Sequence, residues 1–364
     1  MQTDKLTVKI APKAGFSYDI IIGSGILNEL GTLLKKHTNA KKFLVVTNET
    51  ILKLYPNALN LGENAHFVVL KDGEEYKNFD SLKKILDAAI EHKIERRDCL
   101  IAFGGGVVGD ITGFAASVYL RGVDFVQIPT TLLAQVDSSV GGKVAINHEK
   151  GKNLIGAFYQ PKFVLADISL LKTLDERQLK TGLGEVLKYA FIEKSCACPL
   201  NYRFFDFLHA NYKEIIELEP STTAQLINIC CTLKAAVVAQ DEREKGLRAI
   251  LNFGHTFAHA IETLSNYTRF THGEAVAAGM KMAAKLGVEL KMVDEDYKNA
   301  VFELIDKYGL DVDLPEFDSG EFIEAMTLDK KADDSKIRFI LPDGDFRVKL
   351  VSDVAREKLL KVLR

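Results

Sequence analysis

Two periods divide the chain. Over the first 170 residues, short apolar runs recur: YDIIIG (18–23), KFLVVT (42–47), AHFVVL (65–70), CLIAFG (99–104), DFVQIP (124–129) and FVLADI (163–168). Each is rich in β-branched residues and bounded by Gly, Pro or Asp, which predicts strands. Between them, ILNELGTLLKKH (26–37) and DSLKKILDAAIEHK (80–93) carry the helical period. This alternation predicts a mostly parallel sheet covered by helices. From about residue 174 the helical period takes over, as in DERQLKTGLGEVLKYAFIE, STTAQLINICCTLKAAVVAQDERE and GEAVAAGMKMAAKLGVELKM, and strand signals lapse until KIRFILP (336–342). The expected architecture is a doubly wound, Rossmann-like α/β domain over residues 1–174 followed by an all-helical domain over 175–364.

At 364 residues, 47% hydrophobic and 27% charged, the chain is long enough to bury a large core without disulfide staples. The net charge of −3 lacks the basic bias of a nucleic-acid binder, yet allows a local basic pocket for a small anion. The five cysteines form no CxxC pair and read as reduced, apolar-like thiols. Cys196 and Cys198 are the weaker candidates for a metal or redox pair. The N-terminal stretch lacks the apolar run of a secretion signal, and the segment nearest to a membrane span, 99–120, is interrupted by Asp110 and several glycines. A cytoplasmic protein with no membrane contact is expected.

Three stretches after strands carry candidate chemistry. In CLIAFGGGVVGDITGF, Gly104, Gly106 and Gly109 satisfy G-x-G-x-x-G between a strand and a helix start, where backbone and helix terminus receive a pyrophosphate. The motif lies about a hundred residues in, not in the first βαβ unit, and Asp124 opens the next strand instead of ending it. The stretches DGEEYK (72–77) and IPTTLLAQVDSSVGGK (128–143) also follow strands; the second offers Thr130, Thr131, Asp137 and Lys143. Each also reads as an ordinary polar loop leading into a capped helix.

The histidines separate into two groups. His37, His66, His92, His148 and His209 lie in polar or mixed segments, whereas His255, His259 and His272 fall within eighteen residues amid Gly, Ala and Thr. His255 and His259 share a helix face at i, i+4. The zinc-protease pattern H-E-x-x-H is not met, because Thr256 stands beside the first histidine and the nearest glutamate is Glu262. A catalytic metal takes three protein ligands, and Glu185, a carboxylate in the apolar stretch GLGEVLKYAF, is a candidate third. Packed core histidines and a helix-start acid are the plain alternatives. Lys188, Lys234, Arg248 and Asn252 add cations and an amide, as an anionic substrate requires.

Taken together, GGGVVGDITGFAASVYLRG, IPTTLLAQVDSSVGGKVAIN, GKNLIGAFYQP, GLGEVLKYAFI, LNFGHTFAHAIE and HGEAVAAGM closely resemble the motifs of the 3-dehydroquinate synthase family, of the sugar-phosphate cyclase superfamily, in order and from about residue 15 to 342. Ala258 stands where many members have glycine, and Gly184 where many have alanine. The resemblance implies conversion of 3-deoxy-D-arabino-heptulosonate 7-phosphate to 3-dehydroquinate and phosphate in the shikimate pathway, with NAD regenerated each turnover and a zinc or cobalt ion. It implies Glu185, His255 and His272 as metal ligands and His259 as a group beside the substrate. NAD positions are implied at Asp72, Gly73, Glu74, Glu75, Tyr76 and Lys77, at Gly106, Val107, Val108, Gly109 and Asp110, at Thr130, Thr131, Lys143 and Lys152, and at Leu170, Leu171, Lys172 and Thr173. Substrate positions are implied at Asp137, Lys143, Asn153, Lys188, Lys234, Arg248 and Asn252, and at either Lys330 or Lys331. Arg121 matches a residue that reaches a neighbouring subunit, implying a homodimer.

In that chemistry, oxidation of a ring hydroxyl acidifies the adjacent C–H, phosphate leaves, the ketone is reduced again, and ring opening with an intramolecular aldol step closes the carbocycle. Two other readings stand beside it: a metal-dependent alcohol dehydrogenase on the same fold, releasing NADH each cycle, and a non-catalytic nucleotide-binding protein. The cation set Lys188, Lys234 and Arg248 favours an anionic substrate over a small neutral alcohol.

Overall fold

The computed structural model describes residues 5–10, 17–198, 200–328 and 336–363, so Lys330 and Lys331 lie outside the described residues. The chain divides into two compact units, residues 1–174 with 214–239, and residues 175–213 with 240–364.

The first unit is built on a seven-stranded sheet. Its strands are β1 (Leu6–Ile10), β2 (Tyr18–Gly23), β3 (Phe43–Asn48), β4 (Ala65–Leu70), β5 (Cys99–Gly104), β6 (Asp124–Pro129) and β9 (Phe163–Asp167), in the order β1-β2-β9-β6-β5-β3-β4. All neighbours are parallel except β1 and β2. Alternate residues serve opposite faces. Leu44, Val46, Leu100 and Ala102 join a core with the helices Phe79–Glu91 and Gly106–Val118, while Val45, Ile101 and Phe103 join a second core with the helix Leu30–His37. Burial on both faces explains why these strands read as continuous apolar runs.

A hairpin of β7 (Lys143–His148) and β8 (Gly151–Phe158) stands apart from this sheet. Neither its strands nor β1 are evident from the periodicity. On β8 only alternate residues are even partly buried, and Leu154 and Phe158 face outward, so the apolar run has no single side.

The helix Pro220–Gln240, expected in the second domain, groups with the first unit instead. Its Cys231 thiol donates to the Gln135 carbonyl at 3.3 Å, and Lys234 donates to the Asp137 carbonyl at 2.7 Å. By length and composition this helix, not 99–120, could cross a membrane; 67% of its apolar window is buried inside the protein.

The second unit is mainly helical, with Glu176–Ile192, His255–Leu264 and His272–Glu289 at its centre. It also carries a two-stranded antiparallel sheet of β10 (Phe339–Pro342) and β11 (Val348–Val351). All five cysteines are free, and burial pushes the Cys196 thiol up to about 12, which leaves it a packing group.

Candidate active site

In the second unit three helices bring the three candidate ligands together. Asp175 caps the first by accepting from the Gln178 amide, and Glu185 follows on its buried side with 1% of its side chain exposed. His255 is the first residue of the second helix. His272 is the first residue of the third, where Thr271 and Glu274 form a reciprocal capping box. Close packing seats them. A Cβ on Gly273 would stand 2.1 Å from the Thr181 carbonyl oxygen, and one on Gly184 would stand 2.4 Å from that of Gly273. The glycine at 184, unusual against the family pattern, therefore belongs to the contact that positions His272.

His255 Nε2 and His272 Nε2 each lie 3.3 Å from Glu185 Oε1. The three ligand atoms fall within 4.8 Å of one another, the one such group among the described residues. Ligands about 2.0–2.1 Å from a zinc-sized ion in tetrahedral array stand about 3.3–3.4 Å apart. The two Nε2–Oε1 distances match a tetrahedron's edge. Glu185 Oε1 is buried and takes no well-formed hydrogen bond. The donor set, two neutral-capable imidazoles and a carboxylate, thus fits a divalent metal.

Electrostatics divide the three groups. Burial pushes the Glu185 carboxyl upward, but the Lys188 ammonium and His255 outweigh it and hold it well below the usual carboxylate range. Burial also lowers His255 and keeps it neutral. For His272 burial works the same way but loses to the close carboxylates of Glu185 and Glu262, which raise it to about 10. His259 stays out of the ligand group. Its ring centre is 5.7 Å from that of His255 and 6.4 Å from that of His272.

Lys188 is buried and paired with Glu185. Arg248 is also buried; its backbone N–H donates to Asp241 at 3.0 Å and its guanidinium to the Glu242 carbonyl. The Asn252 amide donates to Glu244 at 2.9 Å.

The first unit holds a different kind of site. β4 lies on one side of β3 and β5 on the other, so the strand order reverses there. Ligands of doubly wound sheets bind at such a reversal, beyond the strands' carboxyl ends. The glycine turn leaves β5 at that point. Gly104 pairs in register with Pro129, and the Thr130 amide donates to the Gly104 carbonyl at 3.0 Å. The buried hydroxyls of Thr130 and Thr47 have no partner among the described residues. Thr131 instead caps the next turn by accepting from Ala134.

Asp72 accepts from Asn48 and Thr50 at 2.8 and 2.7 Å. Gly73, at φ 127°, takes a backbone conformation that side chains disfavour, and turns the chain into Glu74–Tyr76. Lys77 is buried and donates to Asp110 at 2.5 Å and Asn153 at 2.6 Å. Burial opposes its charge, but Asp110 and Glu74 outweigh burial and raise it. Lys77 thereby joins the glycine-turn helix, through Asp110, to the β7–β8 hairpin, through Asn153. Residues Ala134–Ser138 form a π-helical turn, and its Asp137 pairs with Lys234 at 2.7 Å.

Other expected positions are placed more plainly. Lys143, Lys152 and Lys172 are exposed. The Val108, Leu170 and Leu171 side chains belong to the core, so only their backbone can face a cofactor. Tyr55 Oη, which the sequence did not mark, fixes the 170–173 turn through Leu170 O and Thr173 Oγ1 at 3.1 and 2.8 Å. Arg121 is exposed on a left-handed turn, with φ 49° at Leu120 and 66° at Arg121.

Residues 67–181 match the family 3-dehydroquinate synthase N-terminal, and residues 182–332 match 3-dehydroquinate synthase C-terminal. A 3-dehydroquinate synthase of Desulforamulus reducens is 45% identical over 353 residues, covering 95% of this chain and 96% of the relative. Among solved structures, 2-epi-5-epi-valiolone synthase of Streptomyces hygroscopicus subsp. jinggangensis, with NAD+ and Zn2+ bound, superposes with a TM-score of 0.85 at 26% identity over 98% of both chains. A 2-deoxy-scyllo-inosose synthase complexed with carbaglucose-6-phosphate, NAD+ and Co2+ gives 0.84 at 29% identity over 99% of both.

Proposed function

The chain belongs to the 3-dehydroquinate synthase family, and from that premise we propose that it converts 3-deoxy-D-arabino-heptulosonate 7-phosphate to 3-dehydroquinate and phosphate with NAD and a zinc or cobalt ion. The observation that carries the reading is the convergence of Glu185, His255 and His272, with both histidine Nε2 atoms 3.3 Å from Glu185 Oε1. A divalent metal held there supplies Lewis-acid polarisation of an alcohol oxygen and stabilises developing negative charge. NAD supplies hydride transfer.

The residues of the chain bind and orient. In the first unit we assign the dinucleotide to residues 72–77, 106–110, Thr130, Thr131, Lys143, Lys152 and 170–173; the unpartnered Thr130 hydroxyl at the strand-order reversal supports this. There we also assign substrate contacts to Asp137, Lys143, Asn153 and Lys234. In the second unit Lys188, Arg248 and Asn252 are assigned to the substrate. Fixed cations suit a carboxylate and a phosphate and hold a multi-step conversion in one geometry. The substrate phosphate acts as base in its own elimination, and His259 relays a proton. A His259→Ala protein that keeps its metal and full turnover breaks the relay. We also propose a homodimer in which Arg121 reaches the second copy, and a cytoplasmic setting for this biosynthetic enzyme.

One assay tests the main reading. The heptulosonate phosphate is supplied with trace NAD and metal, and phosphate and NADH are followed. Phosphate release without net NADH is expected. NADH accumulating from an alcohol substrate makes it a dehydrogenase, and neither signal in a folded, NAD-binding protein removes catalysis.

A further inference from the structure

Both ligand histidines present Nε2 to Glu185, and each is held from behind at Nδ1. For His255 the holder is a backbone carbonyl, Phe253 O, at 3.2 Å. For His272 it is a side chain, Glu262 Oε1, at 3.4 Å. The two anchors differ in kind. Phe253 O is fixed by the turn that starts the helix, whereas Glu262 comes from the seventh position after His255 on the same helix and reaches across to the next.

Glu262 is an unusual residue to bury. It is 4% exposed, between Ile261 and Thr263 on a helix otherwise packed with Phe257, Ala258, Ala260 and Ile261. A carboxylate at such a position is costly without charged or hydrogen-bonding partners. His272, by contrast, keeps 33% of its side chain exposed, so packing alone leaves its ring room to turn.

We propose that Glu262 is a positioning residue for the metal centre: its carboxylate accepts the Nδ1–H of His272, fixes that tautomer, and aims Nε2 at the metal. The statement rests on the metal reading above. The carboxylate also makes the imidazole a stronger donor and adds a negative charge behind the ligand set, as carboxylate–histidine–metal relays do. Glu185 and Glu262 then flank one ring, one as co-ligand from the Glu176–Ile192 helix and one as anchor from the His255–Leu264 helix.

The test uses the full-length chain and cobalt(II). Titration into wild-type protein is followed by the visible cobalt bands, and affinity is taken from competition with a chelator. Glu262→Gln keeps the size and a hydrogen-bond acceptor but removes the charge. Its cobalt dissociation constant is expected to rise about 10- to 100-fold, the range for removing such partners. Its cobalt bands are also expected to shift, a change that simple loosening of a helix elsewhere does not produce. Glu262→Asp is expected to fall between the two. If Glu262→Gln melts like the wild type without metal and binds cobalt within threefold and with unchanged bands, the proposal is overturned. Nitrogen-15 NMR of metal-loaded wild-type protein gives a reading independent of any variant: His272 is expected to carry its proton on Nδ1, and a proton on Nε2 overturns the anchor. A wild type that binds no cobalt removes the metal reading itself, and the anchor with it.

Discussion

The two units prepare their chemistry in opposite ways. In the second, three helix positions converge on one point, and both histidine Nε2 atoms already stand a tetrahedron's edge length from Glu185 Oε1. In the first, the groups spread along strand ends: a glycine turn after β5, a buried free hydroxyl at Thr130, and a lysine bridging Asp110 and Asn153. A metal needs few donors in fixed geometry, and a long dinucleotide needs many shallow contacts. One site is therefore fragile to single ligands, and the other to the scaffolding of its loops.

The sharpest break in this contrast is to remove the metal. Chelation, or His255→Ala, is expected to lower turnover about 10^3-fold or more, since the metal's Lewis-acid contribution is several kcal/mol. Dinucleotide binding, assigned wholly to the first unit, should survive, with a Kd within about threefold by fluorescence titration. If NAD affinity falls together with turnover, the two regions are not separable.

The next largest effect lies in the first unit. Lys77→Met leaves Asp110 without its cation. Breaking a buried pair costs about 3–5 kcal/mol. Asp110 keeps 18% exposure, so about 3 kcal/mol is expected from denaturant unfolding. A loss below about 1 kcal/mol would mean that water replaces the lysine there. The second-unit counterpart is Gly273→Ala, whose added Cβ meets the Thr181 carbonyl at 2.1 Å. Overpacking of this kind costs about 1–3 kcal/mol. About 2 kcal/mol is expected in metal-free protein, together with weaker metal binding because His272 moves with the helix. Unchanged melting would show that the two helices part freely.

The same contrast governs what could be read in the sequence. Central strands such as CLIAFG and FVLAD are legible because burial on both faces writes a continuous apolar run. The β7–β8 hairpin is not, because its pairing is set by tertiary contact and one face of β8 is exposed. STTAQLINICCTLKAAVVAQ shows burial all round, yet nothing local says against what, so its place with the first unit emerges only from Cys231 and Lys234 meeting Gln135 and Asp137. Residue type marks His255, His259, His272 and the acid Glu185 as candidates for a metal; the choice of His255 and His272 over His259 comes from the family resemblance. Glu262 was visible only as the nearest glutamate. Its role depends on the angle between two helices, which no spacing encodes.

The smallest effect separates His255 from His272. In metal-free protein His255 is neutral, lowered by burial, whereas His272 holds a proton up to about pH 10, because Glu185 and Glu262 outweigh its burial. A folded-state pKa raised above the ordinary histidine value near 6.5 adds stability that is fully present below about pH 6.5 and is lost as pH rises through about 10. A metal needs the neutral ring. At pH 8, uptake of one cobalt ion should therefore release about one proton, measured by calorimetry in buffers of different ionisation enthalpy. Metal-loaded protein should also lose the stability drop expected of metal-free protein between pH 7 and 10, because an ion held at His272 Nε2 would displace the proton that faces Glu185. Release of two protons would mean that His255 is charged as well, and release of none would mean that neither ring is. Either count would contradict the split between a histidine anchored by a carbonyl and one anchored by a carboxylate.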